Sequence, residues 1–254
     1  MSGIELKSPE EIEVMSRAAK IVAEVLEALR ARVKPGVTTA ELDRFAERFI
    51  LERGGTPAFK GYKVRGQVYR HTLCTSVNEA VVHGIPSNRA LKEGDIIGLD
   101  IGVLVEGYYA DAAVTVPVGT ISEEVRRLVR VTEEALYKGI EQAIIGHRVS
   151  DISHAVQTHA EAASFSVVTE FVGHGIGRKL HEEPQVPNYG GPGKGPRLKA
   201  GMTLAIEPMV NMGRPETTSL DDGWTAVTRD GNLSAHFEHT IVVTESGPRI
   251  LTKL

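Results

Sequence analysis

The stretch Asp95-Ile-Ile-Gly-Leu-Asp100-Ile-Gly-Val-Leu-Val-Glu106-Gly107-Tyr-Tyr-Ala-Asp111-Ala-Ala-Val-Thr-Val116 decides how the rest of the chain is read. It is apolar and rich in β-branched residues on both sides of Glu106-Gly107, which predicts a β-hairpin over residues 96–116 with its turn at the glycine. With Glu106-Gly107 as a two-residue loop, Asp100 faces Ala113, and Asp111 lies one diagonal step away on the same face. Two carboxylates on one face of a mostly apolar hairpin repel each other and lose hydration. They need compensation, and a cation is the economical candidate. The alternative is a pair of solvated aspartates on the outer face of an edge hairpin.

Working outward, the 254 residues suffice for one sizeable domain with a large core. Apolar and charged fractions of 41% and 24% are those of an ordinary globular protein. A formal net charge of −4 leaves no basic footprint for nucleic acid. One cysteine excludes an internal disulfide framework and suits a reducing cytoplasm. No secretory signal is visible, and no apolar run is long enough to span a bilayer.

Before the hairpin, Ser8-Pro9-Glu10-Glu11 starts a helix, with Ser8 as cap, Pro9 at the first helical position and Glu11 completing a capping box. Ile12, Met15, Ala19, Val22, Leu26 and Leu29 carry it to about residue 32. Pro35-Gly36 ends it, and a second helix is expected over residues 39–53. Residues 58–95 mix strand-like pieces with turns, and Ala80-Val81-Val82 reads as a strand ending at His83.

After the hairpin the pattern restarts. Ser122-Glu123-Glu124 opens a helix expected to reach about residue 145, Gly146 breaks it, and a shorter helix spans about residues 150–163. Gly36 and Leu42 correspond to Gly146 and Ile152, with Glu41 and Asp151 at matching places. Long helix, glycine break, short helix, then strands occurs twice, which predicts two similar halves about a pseudo-twofold axis. A ligand site between such halves is expected. Strands are predicted over residues 167–172, 202–208 and 236–243, the second with Glu207 near its end, and the glycine-rich residues 189–196 form a loop whose spacing fits no nucleotide-binding fingerprint.

Five ionisable residues sit in strand-like apolar context: Asp100, Asp111, His174, Glu207 and Glu238. Each alone reads as a wet-face carboxylate or a structural histidine. Together, four carboxylates balance two divalent cations. Oxygen-rich ligation with one imidazole suits Mn, Fe or Co, with Zn also open and thiolate chemistry excluded. Two such ions about 4 Å apart activate a water and polarise a carbonyl, which is hydrolase chemistry.

The motifs Asn78-Glu79-Ala80-Val81-Val82-His83-Gly84-Ile85-Pro86, Asp100 through Asp111, Gly173-His174-Gly175-Ile176-Gly177, His181-Glu182-Glu183-Pro184, Ile206-Glu207-Pro208 and Phe237-Glu238-His239-Thr240 carry a resemblance over nearly the whole chain. By them the chain resembles the bacterial-type type I methionine aminopeptidases. The resemblance implies an α+β "pita-bread" fold, two pseudo-twofold-related α/β halves with a curved antiparallel sheet covered by helices. It implies one catalytic domain over residues 1–254, with halves near 8–118 and 120–254. It implies that Asp100 holds one metal, that Asp111 and Glu238 bridge both, and that His174 and Glu207 complete the second site. Glu207 becomes the proton acceptor, His181 the group touching the scissile amide and oxyanion, and His83 the group beside the leaving amine. The methionine pocket falls to Phe59, Tyr62, Cys74, Leu180 and Trp224. The implied cofactors are two divalent ions among Co, Mn, Fe and Zn. The implied substrates are N-termini of nascent polypeptides with a small second residue, met in the cytoplasm near the ribosome exit by a monomer, with no nucleic-acid or membrane partner. The chain's own Met1-Ser2 is a substrate of that kind, so removal of its initiator methionine is expected.

Three features depart from the family pattern. The segment between Tyr62 and Cys74 runs about four residues longer than usual and crosses the pocket wall. Leu180 stands where an aromatic is frequent. His236 stands where Gln is frequent, either supporting the ligands from behind or facing away. Against the aminopeptidase reading stand a proline-directed peptidase of the same fold, which usually carries an extra N-terminal domain, and a non-catalytic protein on this fold, which tends to lose ligands. His174 and Glu207 lie too close in sequence for the helical insert of type II enzymes.

Overall fold

Ser8 and Glu11 do form the predicted capping box, and the first helix, α1 (Pro9–Arg30), grows from it in this computed structural model, which describes residues 3–64 and 66–254. Met1 and Ser2, on which the self-processing expectation falls, lie outside the described residues. α1 presents Met15, Ala18, Ala19, Val22, Val25 and Leu29 as one fully buried stripe. It stops two residues short of the expected end, where the Ala31 N–H closes onto Glu27 and Leu29 carbonyls. α2 (Thr39–Glu52) is capped by Thr38 and Glu41, α3 (Glu123–Glu141) by Ser122, and α4 (Val149–Ala162) follows.

One curled sheet of nine strands carries the molecule. Its strands are β1 (Thr56–Pro57), β2 (Leu73–Val77), β3 (Ile96–Val105), β4 (Tyr108–Pro117), β5 (Gly173–Gly175), β6 (Glu182–Val186), β7 (Thr203–Ile206), β8 (Glu238–Thr244) and β9 (Gly247–Ile250). They run in the order β1-β3-β4-β8-β7-β5-β6, with β2 also beside β3 and β9 also beside β8. All the pairings are antiparallel. The β3–β4 hairpin turns at Glu106-Gly107 and pairs Asp100 with Ala113, in the predicted register. Strands before residue 118 meet strands after residue 172 where β4 joins β8.

The repeat seen in sequence has a structural counterpart. Gly36 and Gly146 both adopt positive φ, 89° and 92°, the region that favours glycine. The Gly36 N–H donates to the Leu91 carbonyl as the Gly146 N–H donates to that of Leu198. The isolated bridges Thr38–Ala90 and Arg148–Arg197 match in the same way.

Three expectations are corrected. α3 ends at Glu141, four residues early, because the chain must turn through Gln142–Ile145 to bring Gly146 onto Leu198. The strand expected over 167–172 is only Ser166–Val167; after Val168 bonds to Met209 the chain leaves the sheet, with Thr169 and Glu170 exposed. The strand expected over 236–243 is two strands. Ser234–His236 pairs with Met209–Asn211 in a small sheet, and past Phe237 the chain enters β8 of the large one. The strand expected over 202–208 is trimmed to Thr203–Ile206, with Glu207 and Pro208 past its end, while the loop at 189–196 and the strand ending before His83 stand where expected. Among the described residues no helix is long and apolar enough to cross a membrane.

Candidate metal centre

Side-chain alternation gives β3 and β4 two unlike faces. Ile97, Leu99, Ile101 and Val103, with Ala110, Ala112 and Val114, join the core packed with α1. Gly98, Asp100 and Gly102, with Asp111, Ala113 and Thr115, form the other, concave face. There the register gathers the predicted ligands. Ala113 pairs with Asp100 on one side and with Glu238 on the other. On the neighbouring strands Ala205 pairs with His174 on one side and Thr240 on the other. Glu207, two residues after Ala205, continues past the end of β7. Alanines at 113 and 205 leave the space between the acids open.

The Asp111 N–H donates to Thr240 Oγ1 over 3.1 Å, and the Thr240 hydroxyl lies 2.8 Å from the Asp111 carbonyl and 3.0 Å from its Oδ1. That leaves Oδ2 turned toward His174. Asp111, His174 and Glu238 offer ligand atoms all within 4.8 Å of one another, and all three are buried. His174 Nε2 stands 3.6 Å from Asp111 Oδ2 and 3.5 Å from Glu207 Oε1. Its Nδ1 is 2.9 Å from the Gly175 carbonyl, which can only accept, so Nδ1 carries the proton. In the neutral ring Nε2 therefore turns a lone pair to two carboxylates, an arrangement made for a shared cation. Asp100 Oδ1 is buried with no hydrogen-bond donor among the described residues, a second sign of the same demand. Carboxylate oxygens with one imidazole are a donor set for a divalent transition metal.

Burial pushes the carboxyls of Asp100, Glu207 and Glu238 above the usual carboxylate range; His236 beside Asp100 and His174 beside Glu207 pull the other way, and neighbouring carboxylates push all three up. Burial also raises Asp111, against the lowering effect of the Thr240 hydroxyl. The histidines move the other way. Desolvation, then the His236 imidazole, pushes His83 down to about 4. Desolvation, then the adjacent His174 ring, holds His181 below the ordinary imidazole value. Both are neutral near pH 7 and able to donate one N–H.

His83 has a φ of 60° and lies edge-on to Phe171, ring centroids 5.6 Å apart. The next residue must be glycine: a Cβ on Gly84 would lie 2.2 Å from the Thr75 carbonyl oxygen. The chain behind His83 is thus pressed onto β2. His181 stands across the cleft, its ring centroid 4.3 Å from that of His174.

Beside these groups lies a cavity of about 180 Å³, room for a single long side chain. Phe59, Tyr62, Cys74, Leu180 and Trp224 all line it, together with His83, His181 and the four carboxylates. Every site residue expected from sequence is therefore in one place. Gly102 admits Phe59, whose ring would stand 2.8 Å from a Cβ there. Burial keeps the Cys74 thiol protonated.

Val64 and Tyr69 also line the cavity and were not anticipated. Both lie in the lengthened segment, where only Tyr69, an aromatic closing the short apolar run Val68-Tyr69, offered a signal. His236 faces the site: it is buried, and its Nε2 lies 3.6 Å from Glu207 Oε2 without a hydrogen-bond partner among the described residues. A wider groove of about 690 Å³ shares His174 and His181 and is rimmed by Glu5, Arg178, Lys179 and Glu183.

The model of metallopeptidase family M24 matches residues 13–245. Methionine aminopeptidase 1 of Bacillus subtilis is 55% identical over 98% of this chain and 98% of its own length. Methionine aminopeptidase of Clostridium perfringens is 54% identical over 97% and 98%. The crystal structure of methionine aminopeptidase from Thermotoga maritima superposes with a TM-score of 0.96 at 48% identity, covering 99% of this chain and all of that one. A prolidase from Pyrococcus furiosus shares the fold, with a TM-score of 0.78 at 23% identity over 65% of its length.

Proposed function

The chain belongs to metallopeptidase family M24 and, within it, to the methionine aminopeptidases, and from that premise we propose how its residues release an N-terminal methionine from proteins whose second residue is small. The observation that carries the reading is the convergence of Asp111, His174 and Glu238 on one buried point beside an apolar pocket. In this reading Asp100 would hold one divalent cation, His174 and Glu207 would hold a second, and Asp111 and Glu238 would contribute to both sites. Bound there, the pair of cations supplies a nucleophilic water near neutral pH and a polarised scissile carbonyl. Manganese, iron, cobalt and zinc all suit the donor set.

The remaining work falls to side chains. Phe59, Tyr62, Cys74, Leu180 and Trp224 receive the methionine side chain and exclude water from it. Tyr69 closes the same wall, edge-on to Trp224 with centroids 5.1 Å apart. Glu207, whose proton affinity burial has raised, takes the proton of the attacking water. His181 donates toward the scissile amide and the tetrahedral oxyanion. His83, opposite, hydrogen-bonds the substrate backbone and assists the departing amine. The rest of the substrate leaves through the groove rimmed by Glu5, Arg178, Lys179 and Glu183. Residues 1–254 act as one catalytic domain, a monomer in the cytoplasm meeting nascent chains near the ribosome exit; the lone, buried, unpaired Cys74 supports a reducing compartment.

Cleavage of a Met-Ala-Ser peptide, with metal content measured on the same preparation, tests the reading. Methionine release that follows metal loading is expected. A loaded protein that leaves this peptide intact would overturn it.

A further inference from the structure

The lengthened segment between Tyr62 and Cys74 folds into a hairpin, Lys63–Val64 against Gln67–Val68. Its base is made by two tyrosines. The Gly61 N–H donates to the Tyr69 carbonyl over 2.8 Å, and the Tyr69 N–H donates to the Tyr62 carbonyl over 2.9 Å. The two side chains engage different walls of the cleft. The Tyr69 hydroxyl bonds to the carbonyls of Leu73 and Gly84, at 3.0 and 3.2 Å, next to His83. The Tyr62 oxygen lies 2.7 Å from His181 Nδ1, with ring centroids 5.4 Å apart.

We infer that Tyr62 is a positioning residue for His181: its hydroxyl donates to Nδ1 and so holds the imidazole in the tautomer that carries its proton on Nε2. The inference rests on the proposed role of His181 as donor to the amide and the oxyanion. A 2.7 Å contact permits either sense of donation, and chemistry selects one. An imidazole nitrogen is a far stronger base than a phenol oxygen, and a phenol O–H is a strong donor. In the opposite arrangement the phenol proton would go to solvent and the stronger base, Nδ1, would be spent donating to the weaker acceptor, the phenol oxygen.

Two consequences follow for the reaction. Nε2 is the nitrogen free to face substrate, and a proton fixed there before the oxyanion forms needs no reorganisation when it does. Because Tyr62 precedes the β3–β4 hairpin in the chain and His181 follows β5, the bond also ties the two walls of the cleft across its mouth. The hydroxyl thus acts on the chemistry through His181, separately from the ring's part in lining the pocket.

Tyr62→Phe separates the two parts, since it keeps the ring and removes only the oxygen. The tautomer is read by long-range proton–nitrogen NMR on metal-free protein, with His181→Asn assigning the resonances. Wild type is expected to show His181 protonated on Nε2, and Tyr62→Phe to lose that preference. With metal loaded, kcat of Tyr62→Phe should fall about 10-fold while KM stays within about 2-fold, the pattern of a supporting partner that matters in the transition state. A wild-type His181 protonated on Nδ1 overturns the inference. So does a tautomer unchanged in Tyr62→Phe, or a changed tautomer with unaltered kcat. The NMR measurement uses neither metal nor substrate. Failure of wild type to cleave a methionyl peptide would therefore sink the functional reading and leave the tautomer result to stand on its own.

Discussion

Glu207 faces two imidazoles at once, Oε1 toward His174 at 3.5 Å and Oε2 toward His236 at 3.6 Å. Neither contact is a hydrogen bond of useful length, and the carboxyl is pushed up in pKa by its burial. A group in that state has lost its hydration and has high proton affinity, which suits a ligand that also accepts a proton. Glu207→Gln keeps the shape and one acceptor oxygen and removes both charge and basicity. Its kcat/KM on a methionyl peptide should fall at least about 100-fold, the usual worth of a general base. Restoring the metal content of the variant to the wild-type level should not restore the rate. Recovery on metal addition alone would show that Glu207 is a ligand and nothing more. His236 marks how far such reasoning reaches from sequence. A histidine in a strand could face either way, and only the pairing of Ser234–His236 with Met209–Asn211 turns it toward Glu207.

At the scale of elements, what was legible is what is local. Caps at Ser8, Thr38 and Ser122 act within three residues, so the helix starts were readable. The β3–β4 register followed from a two-residue turn, and with it the shared face of Asp100 and Asp111. What was not legible depends on distant partners. Ala143-Ile144-Ile145 are apolar and fit a longer helix, yet the backbone turns there to bring Gly146 onto Leu198. Residues 236–243 end in a β-branched run, Thr240-Ile241-Val242-Val243, and read as one strand, yet they pass from a small sheet to the large one at Phe237. The base of the lengthened hairpin was hidden for the same reason. Its wall is anchored by Asp43 of α2, whose Oδ1 accepts the N–H groups of Thr72 and Leu73 at 2.8 and 3.0 Å. Asp43 is buried, and its Oδ2 lies 3.2 Å from His71 Nδ1. Asp43→Ala strands two buried backbone donors, so urea unfolding should show a loss of about 2–4 kcal/mol, at about 1–3 kcal/mol per orphaned group before relaxation. Because β2 carries Cys74 on the pocket wall, KM for a methionyl peptide should rise as well. An unchanged unfolding midpoint would show that the helix does not hold this wall.

In the whole molecule the five polar groups come from strands, or from just past a strand's end, on both sides of the β4–β8 seam, so the fold brings like charges together across its curled sheet. Nothing in the hydrophobic core requires that; the helix-side face of the same strands packs with α1 and α3 regardless. The concave face is therefore a local cost carried by the global fold, and cations relieve it. The sign with pH follows from the direction of the shifts. The carboxyls of Asp100, Asp111, Glu207 and Glu238 are raised in the folded state. From their ordinary value of about 4 upward the metal-free folded state then holds more protons than the unfolded chain, so this cluster's contribution to stability falls as pH rises. A bound cation displaces those protons, and its stabilisation grows over the same range. Verified removal of metal should lower the melting temperature by about 5–10 °C relative to protein at one hundred times the dissociation constant, from about 2.7 kcal/mol of linkage and about 2–4 °C per kcal/mol at this size. With the metal concentration held fixed across the pH range, the gap should be wider at about pH 8 than at about pH 6, where protons compete with the cation for the same oxygens. A gap that closes as pH rises would mean the carboxyls are not the groups that hold the metal.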